Sequence, residues 1–201
     1  MDKIKDYLLE LLKFIGDSPF HLFTVVLLCF LTFGGWIIYS EKDAYMASYR
    51  AQQALPKMNG KYEEVHNFLL KRANSDLIAI FEVNTLSNTR NLAYLATKES
   101  GRNKTQDGIN VGLFSKNYDN NNDVIGLMSG NIPCSPYLKP QSLIGFLYRD
   151  LGVTYMCRIS VPAEPGVFIG QISVGWKEEP ENLEEIQTAM SVASSILFNK
   201  K

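Results

Sequence analysis

VTYMCRISVPAEPGVFIGQISVGW, residues 153–176, is the stretch on which the fold turns. Val153, Tyr155, Cys157, Ile159 and Val161 alternate with Thr154, Met156, Arg158 and Ser160. That period of two sends successive side chains to opposite faces of a strand. Pro162, Pro165 and Gly166 interrupt any regular element and supply a turn. Phe168, Gly170, Ile172, Val174 and Trp176 then alternate with Gln171, Ser173 and Lys177, so a second strand is predicted to pair antiparallel with the first.

Downstream, Asn182 with Glu185 three residues on has capping-box spacing. Leu183, Ile186, Met190, Ala193 and Leu197 recur at helical intervals and predict a closing helix with one buried stripe. Upstream, Tyr62, Val65, Phe68 and Leu69 predict a helix that ends near Ala73-Asn74-Ser75. Two strands are predicted after it, DLIAIFEVN over 76–84 and NLAYLAT over 91–97. From Lys98 to Asp123 the chain is rich in Asn, Asp, Gly and Lys, with NYDNNND at 117–123 as the extreme. This region is predicted as a mobile loop with one short helix around Gly112 to Phe114. Helix, strands, variable middle, hairpin and helix make an α+β domain with an antiparallel sheet and helices on one face. The order resembles the sensor-type folds called GAF and PAS.

The N-terminal part follows different rules. From Pro19 to Ser40 there is no Asp, Glu, Lys or Arg, and residues 22–39 read LFTVVLLCFLTFGGWIIY. As a helix this run is about 27 Å long, close to the hydrocarbon thickness of a bilayer. Trp36 and Tyr39 suit one membrane interface, with Pro19 and His21 at the other. A cleaved secretory signal would carry a short basic lead and a small-residue cut site. Here Asp2, Asp6, Glu10 and Asp17 oppose Lys3, Lys5 and Lys13, and Ser40-Glu41-Lys42-Asp43 follows the span, so a retained signal anchor is expected. In residues 1–18, Ile4, Tyr7, Leu8, Leu11, Leu12 and Ile15 line one helical face and Lys3, Asp6, Glu10 and Lys13 the other. The expected organisation is an amphipathic segment over 1–18, a transmembrane helix over 19–40, a stalk or linker helix over 41–60 and the globular α+β domain over 61–201. Lys42, Arg50 and Lys57 nearly balance the N-terminal lysines, so charge leaves the orientation open.

The span is followed by 17 basic and 17 acidic residues, which gives no surplus for binding nucleic acid. His21 and His66 are the two histidines and have no metal-ligand spacing, and Cys134 and Cys157 are too far apart for a zinc knuckle. No G-x-S-x-G elbow, P-loop or G-x-G-x-x-G is present. Pairs such as Glu63-Glu64, Glu178-Glu179 and Glu184-Glu185 read as solvated faces, and Asn120 to Asp123 lack the spaced acids of a calcium loop. The expectation is therefore no enzyme, no metal and no cofactor. Within the span, Thr24, Cys29, Thr32, Gly34 and Gly35 are small or weakly polar residues that let membrane helices approach one another. Cys134 and Cys157 permit one disulfide in an oxidising compartment, with two buried thiols as the alternative.

This layout resembles the T-type holins of T-even-like bacteriophages, single-span lysis proteins with a globular periplasmic domain. The likeness in sequence lies in Tyr155-Met156-Cys157, in Gly170-Gln171-Ile172-Ser173-Val174-Gly175-Trp176, and in the helix from Leu183-Glu184-Glu185-Ile186 through Ala193 to Ile196-Leu197. The resemblance implies copies that accumulate and oligomerise in the host inner membrane, N-terminus cytoplasmic and domain periplasmic. They then open large lesions at a set time and release an endolysin to the cell wall. It implies three partners: the lipid bilayer, other copies of the chain, and an antiholin bound through the periplasmic domain. The family pattern pairs a cysteine at the Cys157 position with one in the final helix, where this chain has Gln187 or a neighbour. A disulfide here would therefore use Cys134. The second expectation is a membrane-anchored bacterial sensory or scaffold protein with a GAF-like ligand domain. It ranks second because the 18 residues before the span and the end at Lys201 are expected to leave no room for an output module.

Overall fold

The computed structural model describes residues 2–54, 56–140 and 142–198. It divides into two compact units, Met1–Leu55 and Pro56–Lys201.

In the first unit, α1 (Asp2–Asp17) and α2 (Pro19–Ala54) are separated by Ser18 alone. The break is chemical. Pro19 can begin a helix but not continue one, and the Ser18 hydroxyl accepts from the Phe20 amide at 3.3 Å, the bond that opens a helix. His21 stacks on Phe14 at 4.0 Å across the joint. The helix α2 runs unbroken through the expected span and on to Ala54, so the span and the upper stalk are one element rather than two. Over residues 19–47 it is long and apolar enough to cross a membrane, and no residue of that stretch is buried within the chain. Phe23, Phe30, Leu31, Phe33 and Ile38 are all exposed.

The second unit is built on one antiparallel sheet. Its strands are β1 (Leu77–Asn84), β2 (Thr89–Thr97), β3 (Gly101–Arg102), β4 (Asn110–Gly112), β5 (Cys134–Pro136), β6 (Tyr155–Val161) and β7 (Gly170–Trp176). The order is β3-β2-β1-β7-β6-β5, with β4 beside β3 on the outer edge of β2. The quoted hairpin is β6–β7, in register from Tyr155 opposite Trp176 to Val161 opposite Gly170.

One face carries α3 (Tyr62–Ala73) and α6 (Leu183–Leu197). Val65, Leu69 and Ala73 meet Ile186, Met190, Ala193 and Leu197 over Ile78, Ile80, Ile172 and Val174, all buried. Each large aliphatic side chain removed from water there contributes about 1.5–3 kcal/mol. The Trp176 indole donates to the Ala73 carbonyl at 3.0 Å, and the Ser194 hydroxyl donates to the Ser160 carbonyl at 2.8 Å, which ties both helices to the hairpin. Asn74, left-handed with φ 45°, ends α3 where expected. The helix α6 starts at Leu183 as expected, but the Asn182 side chain makes no capping bond, so the capping box is not formed.

Three further expectations are corrected. The other sheet face is not left to solvent: α4 (Tyr118–Met128) and α5 (Leu143–Asp150) cover it. The region 98–123 is ordered, because β3 and β4 hydrogen-bond to β2. No helix forms over 112–114, where β4 ends. The Asn-rich tract instead starts α4: Asn117 is its N-cap, its side chain accepting from the Asn120 amide at 2.9 Å, the turn chemistry that asparagine favours. Finally, the stalk does not continue as a helix to residue 60. Met58 forms a β-bridge with Phe198, and the Asn59 amide donates to the Leu197 carbonyl at 3.0 Å.

Candidate functional site

The residues expected to pack membrane helices all lie on α2. Thr24 and Gly35 are three turns apart and share a face, with Thr32 beside it and Cys29 further round; Gly34 lies off that face. A Cβ at Gly34 or Gly35 would meet nothing within 4 Å, and the Cys29 thiol is free and exposed. Thr24 donates to the Phe20 carbonyl at 2.9 Å and Thr32 to the Leu28 carbonyl at 2.8 Å, so these hydroxyl protons are used inside the helix.

Cys134 and Cys157 are bonded, across the β5–β6 register in which they face each other. Gln187 of α6 sits beside them, its Nε2 3.7 Å from Cys134 Sγ. His66 is half-buried, its Nδ1 3.0 Å from the Tyr94 hydroxyl. Burial lowers its pKa from the ordinary histidine value, against a smaller opposing pull from Glu63.

A second constellation lies on the face beneath α4 and α5. Alternation along β6 and β7 puts Arg158, Ser160, Gln171 and Ser173 there, between an apolar patch around Ile144, Tyr148 and Met156 and another around Leu113, Val124 and Leu127. The strand β2 adds Arg90. Its Nη1 donates to Gln171 Oε1 at 3.0 Å, and its Nη2 donates to the Gly112 carbonyl at 3.2 Å and to Asn120 Oδ1 at 3.0 Å. Gln171 in turn donates to the Ser173 hydroxyl at 2.8 Å. Arg158 donates to Asp123 Oδ2 at 2.6 Å, with Tyr137 close under its guanidinium.

The electrostatics are uneven. Burial lowers the Arg90 pKa most, and the neighbouring Arg158 adds to that, against weaker opposite contributions from Tyr148, Asp123 and Tyr137. Burial also drives the Tyr148 phenol well above its ordinary value, helped by Tyr137 and opposed by both arginines. Among the described residues, Arg90 Nε and the hydroxyls of Tyr148 and Ser160 are buried with no hydrogen-bond partner. Such orphans are uncommon because each forfeits its hydration.

Reading the strands in sequence places Arg158, Ser160, Gln171 and Ser173 on the polar side and assigns them no role. The available signal was an arginine and a glutamine in the most regular hairpin of the chain. Arg90 had no signal at all, since it stands at the start of a strand after a turn. No group of three His, Cys, Asp or Glu side chains that could hold a metal occurs among the described residues.

No family model and no curated protein matches this chain. Solved structures do. A far-red cyanobacteriochrome photoreceptor aligns over 80% of this chain and 95% of its own at 8% identity, with a TM-score of 0.50. The GAF domain of a two-component sensor histidine kinase from Bacillus halodurans aligns over 67% and 90% at 13% identity, TM-score 0.47. A phycocyanobilin-bound GAF domain from a cyanobacterial phytochrome aligns over 78% and 91% at 11% identity, TM-score 0.45. At these identities the likeness is one of fold, and the last two add nothing to the first. The domain is α+β and GAF-like.

Proposed function

We propose that this is a single-span membrane protein whose GAF-like domain is a regulatory, ligand-receiving module, and that it does not catalyse a reaction. The observation that carries this reading is the polar cluster around Arg90 and Arg158, which has unpartnered donors inside the domain and, among the described residues, no nucleophile paired with a base. The anchored sensory or scaffold protein is its simplest form. A thermal-shift screen of small metabolites against the full chain in detergent tests it. Hits whose effect disappears in Arg90→Gln support the reading, and a screen with no such hit overturns it.

A second reading, favoured by the exposed large apolar side chains of α2 and the face shared by Thr24 and Gly35, is the phage holin. In it, copies associate in the host inner membrane with α1 cytoplasmic and the domain periplasmic. They open lesions that release an endolysin, and the domain sets the timing by receiving an antiholin. The test is membrane potential in bacteria induced to make the full chain. A quiet interval followed by sudden depolarisation supports the holin, and a flat trace at verified membrane expression excludes it.

A further inference from the structure

We propose that the Arg90–Arg158 cluster binds a small oxyanion, a carboxylate or phosphate group, through Arg90 Nε and the hydroxyls of Tyr148 and Ser160. This rests on the reading of the domain as ligand-receiving and gives the ligand its chemical class.

Arg90 is half-buried, and a guanidinium partly withdrawn from water is stabilised when an anion offsets it. Every acceptor that Arg90 reaches among the described residues is neutral: a glutamine oxygen, an asparagine oxygen and a backbone carbonyl. Among the described residues, the carboxylate facing it is Asp123, and that oxygen is taken by Arg158 at 2.6 Å. Two cations thus share one anion in a region where field strength is high.

Hydrogen-bond polarity points the same way. Tyr148 is 4% exposed and Ser160 is fully buried, yet neither hydroxyl has a partner among the described residues, and Arg90 Nε has none either. Guanidinium Nε can only donate, and the two hydroxyls are free to donate, so the missing partner is an acceptor. A neutral amide would satisfy these donors but leave the charge excess. A metal cation would worsen both. An oxyanion answers both, and a guanidinium edge suits its planar or tetrahedral oxygens. The first turn of α4, with Asn120 on Arg90, adds the positive end of a helix dipole. Arg158 and Asp123, with side chains 12% and 36% exposed, form the solvent side of the cluster.

The test is calorimetric titration of the full chain in detergent with inorganic phosphate and with acetate, at constant ionic strength against chloride. The expected result is saturable binding of one oxyanion per chain, with phosphate or acetate identifying the source of the oxygens. Arg90→Gln is expected to weaken it about tenfold to a hundredfold, the worth of a charged hydrogen bond. Because that variant also removes three internal bonds, Tyr148→Phe provides a second measure. Its hydroxyl supports nothing in the fold, so the variant folds and loses several-fold in affinity. Binding that chloride matches, binding unchanged in both variants, or no saturable binding of either anion overturns the proposal. If neutral metabolites bind in an Arg90-dependent manner while oxyanions do not, the oxyanion fails and the ligand-receiving domain stands.

Discussion

Asp123 is bonded to Arg158 beside Arg90, and its side chain is the place where the cluster is most sensitive. Asp123→Asn keeps the shape and deletes the charge, leaving Arg158 and Arg90 facing each other without a carboxylate among the described residues. Removing one member of a buried pair costs about 3–5 kcal/mol, and the partial exposure of this one reduces the expected loss to about 2 kcal/mol. Chemical denaturation of the variant measures it, and an unchanged midpoint would mean the pair carries no stability. His66 provides a pH-dependent counterpart. Its folded pKa lies below the unfolded one, so the unfolded chain binds the proton more readily. The stability linked to His66 is therefore complete above about pH 6.5 and declines as the pH falls toward the lower folded value. A melting temperature that drops between neutral pH and pH 5, with the drop reduced in His66→Gln, is the expected outcome; identical profiles for the two proteins would contradict it.

Elements in this domain succeed or fail by what covers them. The hairpin, α3 and α6 were legible in the sequence because each carries its own periodicity: Val153 to Val161 alternates, and Ile186, Met190, Ala193 and Leu197 repeat by turns; β1 was legible from its run of strand-favouring apolar residues. The middle was not legible. Asn117 to Asp123 reads as loop because asparagine weakens a helix interior, yet the same residue type is among the best at beginning one. The short strands β3, β4 and β5 have too few residues to show any period, and they exist because a longer neighbour offers them hydrogen bonds. The candidate site was lost with them, since Arg158 and Gln171 look solvated until α4 and α5 are laid over the sheet.

The strand β5 also depends on covalent help. It is three residues long and sits at the sheet edge, held to β6 by the Cys134–Cys157 bond that closes a loop of 23 residues. Reduction is expected to cost about 3 kcal/mol, from the entropy returned to the unfolded chain. Unfolding with and without dithiothreitol, with Cys134→Ser as the permanently open form, measures this. In the α3–α6 layer, Leu69→Ala is expected to cost about 3 kcal/mol, because Leu69 is wholly buried between two helices and the sheet.

At the scale of the molecule, two readings of one chain separate by where they place the activity. If copies associate through α2, Gly35→Leu thickens the face that Thr24 and Gly35 share and is expected to reduce resonance energy transfer between labelled chains in vesicles. Depolarisation after induction is then expected to come later or not at all. If the domain's ligand is the activity, Gly35→Leu leaves both ligand affinity and the thermal shift unchanged. Measuring transfer, potential and affinity on the same variant assigns the activity to one part or the other.

The single helix from Pro19 to Ala54 has a mechanical meaning. Thirty-six residues make a rod about 54 Å long, longer than the roughly 30 Å core of a bilayer. Because no proline or turn interrupts it after Pro19, its two ends are phase-locked. A twist imposed at one end reappears at the other as the same angle, as along a drive shaft. If copies associate in a membrane through one side of the rod, that side also fixes which side faces the neighbour one or two turns beyond it. Inserting a single residue near Ser40 would turn the outer end by about 100°, with no change to the composition of either segment.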